Sequence, residues 1–110
     1  YKHGPLALVE DGVPIVALIP VDKLKDKMMG NVEEVKARGA FVIGVYGGDG
    51  WDGRLDKVCD LVLKLPPSQT ELTTPITYVV PLQLLAYYTA IKRGLDPDHP
   101  RNLAKSVTVT

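Results

Sequence analysis

The sequence has few of the residues that mark several classes of protein. Its 110 residues include one cysteine and two histidines, so an internal disulfide is excluded and a reducing, cytoplasmic setting is expected. Thirteen basic and thirteen acidic side chains cancel, which argues against nucleic acid or an anionic membrane as a partner. No apolar run approaches the ~18 residues of a membrane span, and no signal-peptide pattern is visible.

Three short apolar runs predict buried strands of a parallel sheet. They are Ile15 to Ile19, Phe41 to Tyr46 and Val58 to Leu65, and the first two are continuous and rich in Val and Ile, as in strands covered on both faces. With 45% hydrophobic residues, a chain of this length forms one domain at most. The predicted fold class is α/β, a three-layer parallel sheet with flanking helices to which this chain supplies about three strands.

Two helices are predicted around these strands. The first is one helix from Asp22 to Arg38 with Gly39 as its C-terminal cap, which makes a β-α-β unit. The second follows Thr74 as the N-cap and ends at Gly94. The apolar residues of the first helix at helical spacing are Leu24, Met28, Val32 and Val35. Apolar side chains surround nearly all of the second helix, so we expect another element or subunit to cover the side that the sheet leaves open.

The glycine-rich stretch from Gly48 to Gly53 satisfies G-x-G-x-x-G after a strand. A dinucleotide site requires a helix that begins at the last glycine and points at the pyrophosphate. Only Arg54 to Lys57 separates Gly53 from the next apolar run, so we interpret the stretch as a flexible strand-to-strand loop.

Few side chains stand out as candidates for chemistry. Cys59 lies in an apolar run and is predicted to be a buried, inert thiol. His99, in Asp96-Pro97-Asp98-His99-Pro100, is predicted to be a turn residue. His3, before a Gly-Pro turn, remains open between a structural and an acid-base role. No Cys/His or His/carboxylate spacing resembles a metal site, and no metal is predicted.

Three stretches carry a resemblance to a known family. They are Lys2-His3-Gly4-Pro5-Leu6-Ala7-Leu8, Val80-Pro81-Leu82-Gln83-Leu84-Leu85-Ala86-Tyr87 and Pro100-Arg101-Asn102-Leu103-Ala104-Lys105-Ser106-Val107-Thr108-Val109. In content, order and spacing they resemble the glucosamine-6-phosphate synthases, the isomerising glutamine:fructose-6-phosphate amidotransferases. The resemblance runs from Tyr1 to Thr110. It implies the C-terminal part of the second sugar-isomerase (SIS) domain of a longer enzyme, of flavodoxin-like architecture, with residues 95–110 as an active-site tail.

The resemblance also implies an activity and its partners. The parent enzyme would make glucosamine 6-phosphate and glutamate from fructose 6-phosphate and glutamine, as a cytoplasmic homodimer without a metal or organic cofactor. The glutaminase domain, the first SIS domain with its phosphate loop and the enolising glutamate would lie upstream of Tyr1. The isolated chain is therefore expected to be inactive.

Three site residues follow from the family motifs. In that family the histidine of Lys-His-Gly-Pro reaches the substrate pocket of the neighbouring subunit and assists opening of the sugar ring, and the resemblance implies this role for His3. The lysine of Leu-Ala-Lys-Ser in the family lies at the sugar and is linked to ring opening or to an imine with the ketose carbonyl, which implies the same for Lys105. The resemblance also implies that the backbone of Ala104 lines the same pocket. Two alternatives stay open: a non-catalytic sugar-phosphate-binding or assembly module, and a stand-alone phosphosugar isomerase.

Overall fold

The computed structural model of the chain describes residues 3–49, 53–67 and 70–101. Contacts between Cα atoms divide the chain into an N-terminal unit, Tyr1–Tyr78, and a C-terminal unit, Val79–Thr110. The sheet lies entirely in the N-terminal unit. Most of a long helix and the segment that follows it make up the described part of the C-terminal unit.

Three parallel strands form the sheet. They are β1 (Pro14–Pro20), β2 (Phe41–Gly47) and β3 (Leu61–Leu65), and they are hydrogen-bonded in the order β1-β2-β3. The central strand β2 is buried along most of its length, as its continuous apolar sequence predicts. The α/β fold class and the number of strands are confirmed.

The third strand is shorter and more exposed than predicted. Val58 does not begin it, since residues Arg54–Val58 form a one-turn helix, α2. This helix places the side chain of Leu55 in the core with no exposed surface. Within the described sheet β3 has β2 as its single neighbour, and Leu61 and Leu63 are 56% and 45% exposed. The apolar run therefore forms the end of a helix and then an edge strand, so the prediction of a buried strand from Val58 to Leu65 was wrong in its start and in its burial.

Helix α1 (Lys25–Lys36) connects β1 to β2. It is one helix that passes through Gly30, as predicted, but it is shorter than predicted at both ends. At its start the backbone N–H of Leu24 donates to the Asp22 carboxylate at 2.7 Å, and beyond its end Gly39 has φ +87°. The predicted glycine cap is thus confirmed, because this left-handed conformation favours glycine.

The buried face of α1 is formed by Met29, Val32 and Val35. These side chains join the core cluster, and the helix packs against β1 and β2. Two residues predicted on this face lie outside the buried set: Met28 is only partly buried against the cluster, and Leu24, which precedes the helix, is 55% exposed. The buried face of α1 therefore begins at Met29, and the predicted face was wrong at Leu24 and Met28.

An ion pair ties the end of α1 to the start of β3. The ammonium of Lys36 donates to both carboxylate oxygens of Asp60 at 2.7 Å, and the backbone N–H of Val42 donates to the same carboxylate at 2.7 Å. These hydrogen bonds hold the pKa of Asp60 below its usual value. One carboxylate thus joins α1, β2 and β3 at the amino ends of the strands.

The long helix α3 (Thr74–Lys92) follows a 3₁₀ turn at Glu71–Thr73. Thr74 is its first helical residue rather than its N-cap. Thr70 and Thr73 form the capping box one turn earlier. The prediction of Thr74 as the N-cap was therefore wrong, because threonine occurs at both positions 70 and 74 and the cap is the earlier one. The predicted end at Gly94 is confirmed by its φ of +68°.

Candidate functional site

A cleft opens at the carboxyl ends of β1 and β2. Ligands of open α/β sheets bind at this edge, where loops and helix starts converge. The cleft has a volume of about 290 Å³. Its lining residues in the described chain are Pro20, Val21, Asp22, Gly47, Gly48, Asp49, Pro67, Thr70, Glu71, Thr74 and Tyr78.

Tyr78 closes the floor of this cleft. Its hydroxyl accepts a hydrogen bond from the backbone N–H of Gly47 at 2.6 Å and donates to the carbonyl of Ile19 at 3.1 Å. The residue is 3% exposed, and burial raises the pKa of its phenol, so the hydroxyl stays protonated. A Cβ at Gly47 would lie 2.8 Å from this hydroxyl. Glycine therefore permits the close approach that joins the ends of the two strands.

The described walls of the cleft are acidic. Asp22, Asp49 and Glu71 contribute carboxylates, and no Lys, Arg or His is among the described lining residues. Phosphate groups are recognised by Arg, Lys and clustered backbone N–H donors. Asp22 in addition receives the Leu24 N–H at the start of α1. The described cleft is therefore poorly suited to a sugar phosphate.

His3 is the one predicted site residue that the structure places. It lies exposed in a turn before the 3₁₀ helix Pro5–Leu8, and it is not among the residues that line the cleft. The turn is anchored by Leu6 and Val9, which are both 8% exposed and belong to the core. Ala104 and Lys105 lie outside the described residues, so the catalytic roles of all three residues stay predictions.

A groove runs along the C-terminal unit, beside the last turns of α3. Its volume is about 590 Å³, and most of its surface is contributed by apolar atoms. The described residues that line it are Gln83, Ala86, Tyr87, Ala90, Leu95, Asp96, Pro97, His99, Pro100 and Arg101. His99 is confirmed as a turn residue, since its Nδ1 lies 2.8 Å from the Asp96 carboxylate. The predicted tail begins on the wall of this groove.

The glycine-rich stretch differs from the predicted loop. Gly53 is the N-cap of α2, which begins at Arg54, so a helix does start at the last glycine. This helix is only five residues long, which is too short for a helix dipole to hold a pyrophosphate. Residues 50–52 lie outside the described part of the chain, and the nucleotide interpretation gains no support.

Cys59 is buried, as predicted. Burial is the largest cause of a raised pKa for its thiol, and the neighbouring Asp60 carboxylate raises the pKa further. The thiol is therefore less ionised than a free cysteine, which agrees with an inert role.

No group of three or more His, Cys, Asp or Glu side chains in residues 3–49, 53–67 and 70–101 is arranged to hold a metal ion. Over the same residues no helix combines the length and the hydropathy needed to cross a membrane.

Sequence reasoning missed Tyr78 and Thr70. Tyr78 is the only buried residue of α3, yet the pattern of this helix is apolar nearly all round and marks no single face. The sequence indicated only that a tyrosine lies one turn after the start of the helix, and this position alone does not predict that its hydroxyl reaches the strand ends. The Thr70 cap had a better signal, because a hydroxyl residue three positions later completes its box.

The sequence and the fold of the chain match a known family of protein domains. The SIS domain family matches residues 1–93, and the described elements form the open parallel α/β sheet with helices described above. The chain belongs to the SIS domain family.

Individual relatives are more specific. The chain is 58% identical over 108 residues to a glutamine–fructose-6-phosphate aminotransferase (isomerizing) of Thermococcus kodakarensis, and this match covers 98% of the chain. The enzyme of the same name from Pyrococcus horikoshii is 56% identical over 108 residues. The chain spans 17% of the length of each of these relatives.

A solved structure agrees with these relatives. The C-terminal domain of glucosamine-fructose-6-phosphate aminotransferase from Francisella tularensis matches 86% of this chain and 26% of its own, with a TM-score of 0.72 and 38% identity. The resemblance seen in the three sequence stretches is thereby confirmed over nearly the whole chain.

Proposed function

We propose that this chain is a C-terminal SIS segment of an isomerising glutamine–fructose-6-phosphate aminotransferase. The enzyme converts fructose 6-phosphate and glutamine into glucosamine 6-phosphate and glutamate. The observation that carries the proposal is the identity of 58% over 98% of the chain. The chain supplies part of the isomerase machinery, and the ammonia-producing and phosphate-binding parts belong to the remainder of the enzyme.

The acidic cleft at the ends of β1 and β2 supports the proposal that another part of the enzyme binds the phosphate. A phosphate dianion is repelled by the three carboxylates of Asp22, Asp49 and Glu71. The sugar phosphate is therefore held by another part of the enzyme, to which this chain adds individual side chains. We propose that His3 and Lys105, rather than the residues that line this cleft, are the parts of the chain that meet the substrate.

His3 is proposed to assist opening of the sugar ring. Ring opening moves a proton between the anomeric hydroxyl and the ring oxygen, and an imidazole is a side chain that can both accept and donate a proton. His3 is exposed on a turn whose neighbours Leu6 and Val9 are anchored in the core. This placement leaves the imidazole free to enter a site formed with another subunit.

Lys105 is proposed to act at the opened sugar, beside the backbone of Ala104. A lysine that has lost its proton can serve as a base or form an imine with the ketose carbonyl. It loses that proton near neutral pH only when it is desolvated or placed beside another cation. A pocket closed over the sugar provides the desolvation.

The enzyme is proposed to be a cytoplasmic homodimer. Large apolar side chains of α3 are exposed in this chain, including Leu84, Tyr88 and Ile91 at 49%, 58% and 48%. Such a surface in contact with water is typical of a region that packs against another subunit or domain. Sedimentation of the complete enzyme should give a dimer, and a monomer at micromolar concentration would contradict this part of the proposal.

A chimera tests the function directly. This chain replaces the matching segment of the Thermococcus kodakarensis relative, and the product is assayed for glucosamine 6-phosphate formation from fructose 6-phosphate and glutamine. We expect activity within about tenfold of the parent, since 58% of the aligned residues are identical. A chimera that hydrolyses glutamine but makes no amino sugar would indicate a non-catalytic assembly module. Turnover of fructose 6-phosphate by the 110-residue chain alone would indicate a stand-alone isomerase.

Three substitutions in the chimera test Lys105 and His3. Lys105→Arg should be nearly as damaging as Lys105→Ala, because arginine keeps the charge but neither loses its proton nor forms an imine. His3→Ala should slow turnover of fructose 6-phosphate by about 10²–10⁴-fold, and it should slow an open-chain substrate less. Activity restored by arginine would assign Lys105 an electrostatic role, and equal losses with both substrates would make His3 structural.

A further inference from the structure

The turn that carries His3 is attached to the core through the side chain of one nearby residue. His3, Gly4 and Pro5 are all exposed. Leu6 is the buried residue of the 3₁₀ helix Pro5–Leu8, and with 8% of its surface exposed it belongs to the core cluster. Leu6 is therefore the core contact that lies nearest to His3 in the sequence.

The backbone between His3 and Leu6 is short and restrained. The carbonyl of Gly4 accepts a hydrogen bond from the N–H of Ala7 at 3.0 Å, which joins Gly4 to the 3₁₀ helix. The ring of Pro5 restricts its φ to about −65°. Three residues along the chain separate His3 from Leu6, so their Cα atoms are at most about 11 Å apart. A shift of Leu6 in the core consequently moves the backbone of His3.

The chain that follows the turn has anchors of its own. Val9 is 8% exposed and belongs to the core cluster. The N–H of Gly12 donates to the carbonyl of Gly39 at 2.8 Å, just before β1 begins at Pro14. Because these contacts do not involve Leu6, loss of the Leu6 side chain should loosen the turn while β1 stays in the sheet.

We propose that Leu6 is a positioning residue for His3: its side chain holds the turn against the core and so sets the place of the imidazole at the sugar. This inference rests on the proposed function, in which His3 assists ring opening. Leu6 itself touches no reacting atom. Truncation of a buried leucine leaves a cavity into which its surroundings can relax, and a displacement of about 1 Å can reduce a reaction rate about 10²-fold.

The test compares two buried leucines in the chimera with the complete aminotransferase. Leu6→Ala should lower kcat for fructose 6-phosphate about 10-fold. It should change kcat by less than about twofold for 5-deoxyfructose 6-phosphate, which lacks the hydroxyl that closes the furanose ring. Leu55 has no exposed surface and lies in α2, outside the turn. Leu55→Ala should therefore affect the two substrates by the same factor.

Two further variants use fructose 6-phosphate alone. Leu6→Met nearly preserves the buried volume and should keep kcat within about twofold of the parent. In a His3→Ala background, Leu6→Ala should cause no further loss, because positioning has no effect once the positioned group is absent. Circular dichroism checks that each variant is folded at the assay temperature. If Leu6→Ala is unfolded there, Leu6→Val, which leaves a smaller cavity, replaces it in both assays.

The outcomes separate this inference from the proposed function. A damaging His3→Ala combined with a Leu6→Ala that slows both substrates equally would overturn the positioning role and leave the function intact. A Leu6→Ala loss that persists in full in the His3→Ala background would identify Leu6 as merely structural. A silent His3→Ala would overturn both the proposed role of His3 and the positioning role of Leu6.

Discussion

The two units of the chain have similar apolar sequences and opposite burial. In the N-terminal unit, apolar runs become strands and a helix face, and residues such as Ile19, Val42 and Tyr46 have no exposed surface. In the C-terminal unit, none of the described residues 79–101 is buried, although α3 is the most apolar helix of the chain. Hydrophobic composition alone therefore does not identify the core.

The reason for the difference is the arrangement of apolar residues around each element. Helix α1 has one apolar face and charged residues elsewhere, so packing against a single sheet buries its apolar side chains. Helix α3 has apolar residues on nearly every side, so no one surface can cover it. The first unit holds its core within the chain, and the second presents a surface that we propose to be covered in the complete enzyme.

The largest expected effect contrasts two isoleucines. Ile19→Ala removes a side chain with no exposed surface, and Ile91→Ala removes one that is 48% exposed. We expect the first to lower the free energy of unfolding of the 110-residue chain by about 2–5 kcal/mol, and the second to change it by less than about 0.5 kcal/mol. Urea denaturation followed by circular dichroism measures both. Equal losses would mean that α3 is as well packed as the sheet.

A smaller effect contrasts two tyrosines of α3. Tyr78→Phe leaves the Gly47 N–H and the Ile19 carbonyl without the hydroxyl that joins them, which should cost about 1–3 kcal/mol of unfolding free energy. Tyr88 is 58% exposed, and Tyr88→Phe should be nearly neutral. The same denaturation assay compares them, and an unchanged stability for Tyr78→Phe would show that the hydroxyl does not tie the strand ends.

The smallest effect concerns acid stability. The pKa of Asp60 is lowered by the hydrogen bonds from Lys36 and the Val42 N–H, so its contribution is present above the unfolded-state pKa of about 3.9 and is lost as the pH falls through the lower folded-state pKa. Asp60→Asn should lower the urea midpoint at pH 7, and the difference from the parent should shrink below about pH 4. Asp98→Asn, an exposed carboxylate in the other unit, serves as the control. A pH-independent difference would assign the effect to packing rather than to charge.

Much of the fold could be predicted from local patterns. The strands β1 and β2, the single helix between them and the glycines that end α1 and α3 each depend on residues that are neighbours in sequence. The starts of β3 and α3 were predicted wrongly. The run from Val58 to Leu65 contains both the end of a helix and a strand, and threonine occurs at both 70 and 74, so the local pattern did not show which residue is the cap. The candidate site was predicted from family motifs, and of its residues only His3 lies in the described part of the chain.

The sequence by itself determined the α/β class, the parallel strands, the glycines that end α1 and α3, and the family, because periodicity, glycine caps and motif order are all local properties of a chain. Only the tertiary structure decided that Tyr78 joins the ends of β1 and β2, and that Asp60 receives a lysine 24 residues away. It also decided that the cleft at the strand ends is acidic. These features depend on groups that are distant in sequence and come together only when the sheet has formed, and no pattern within a single element contains them.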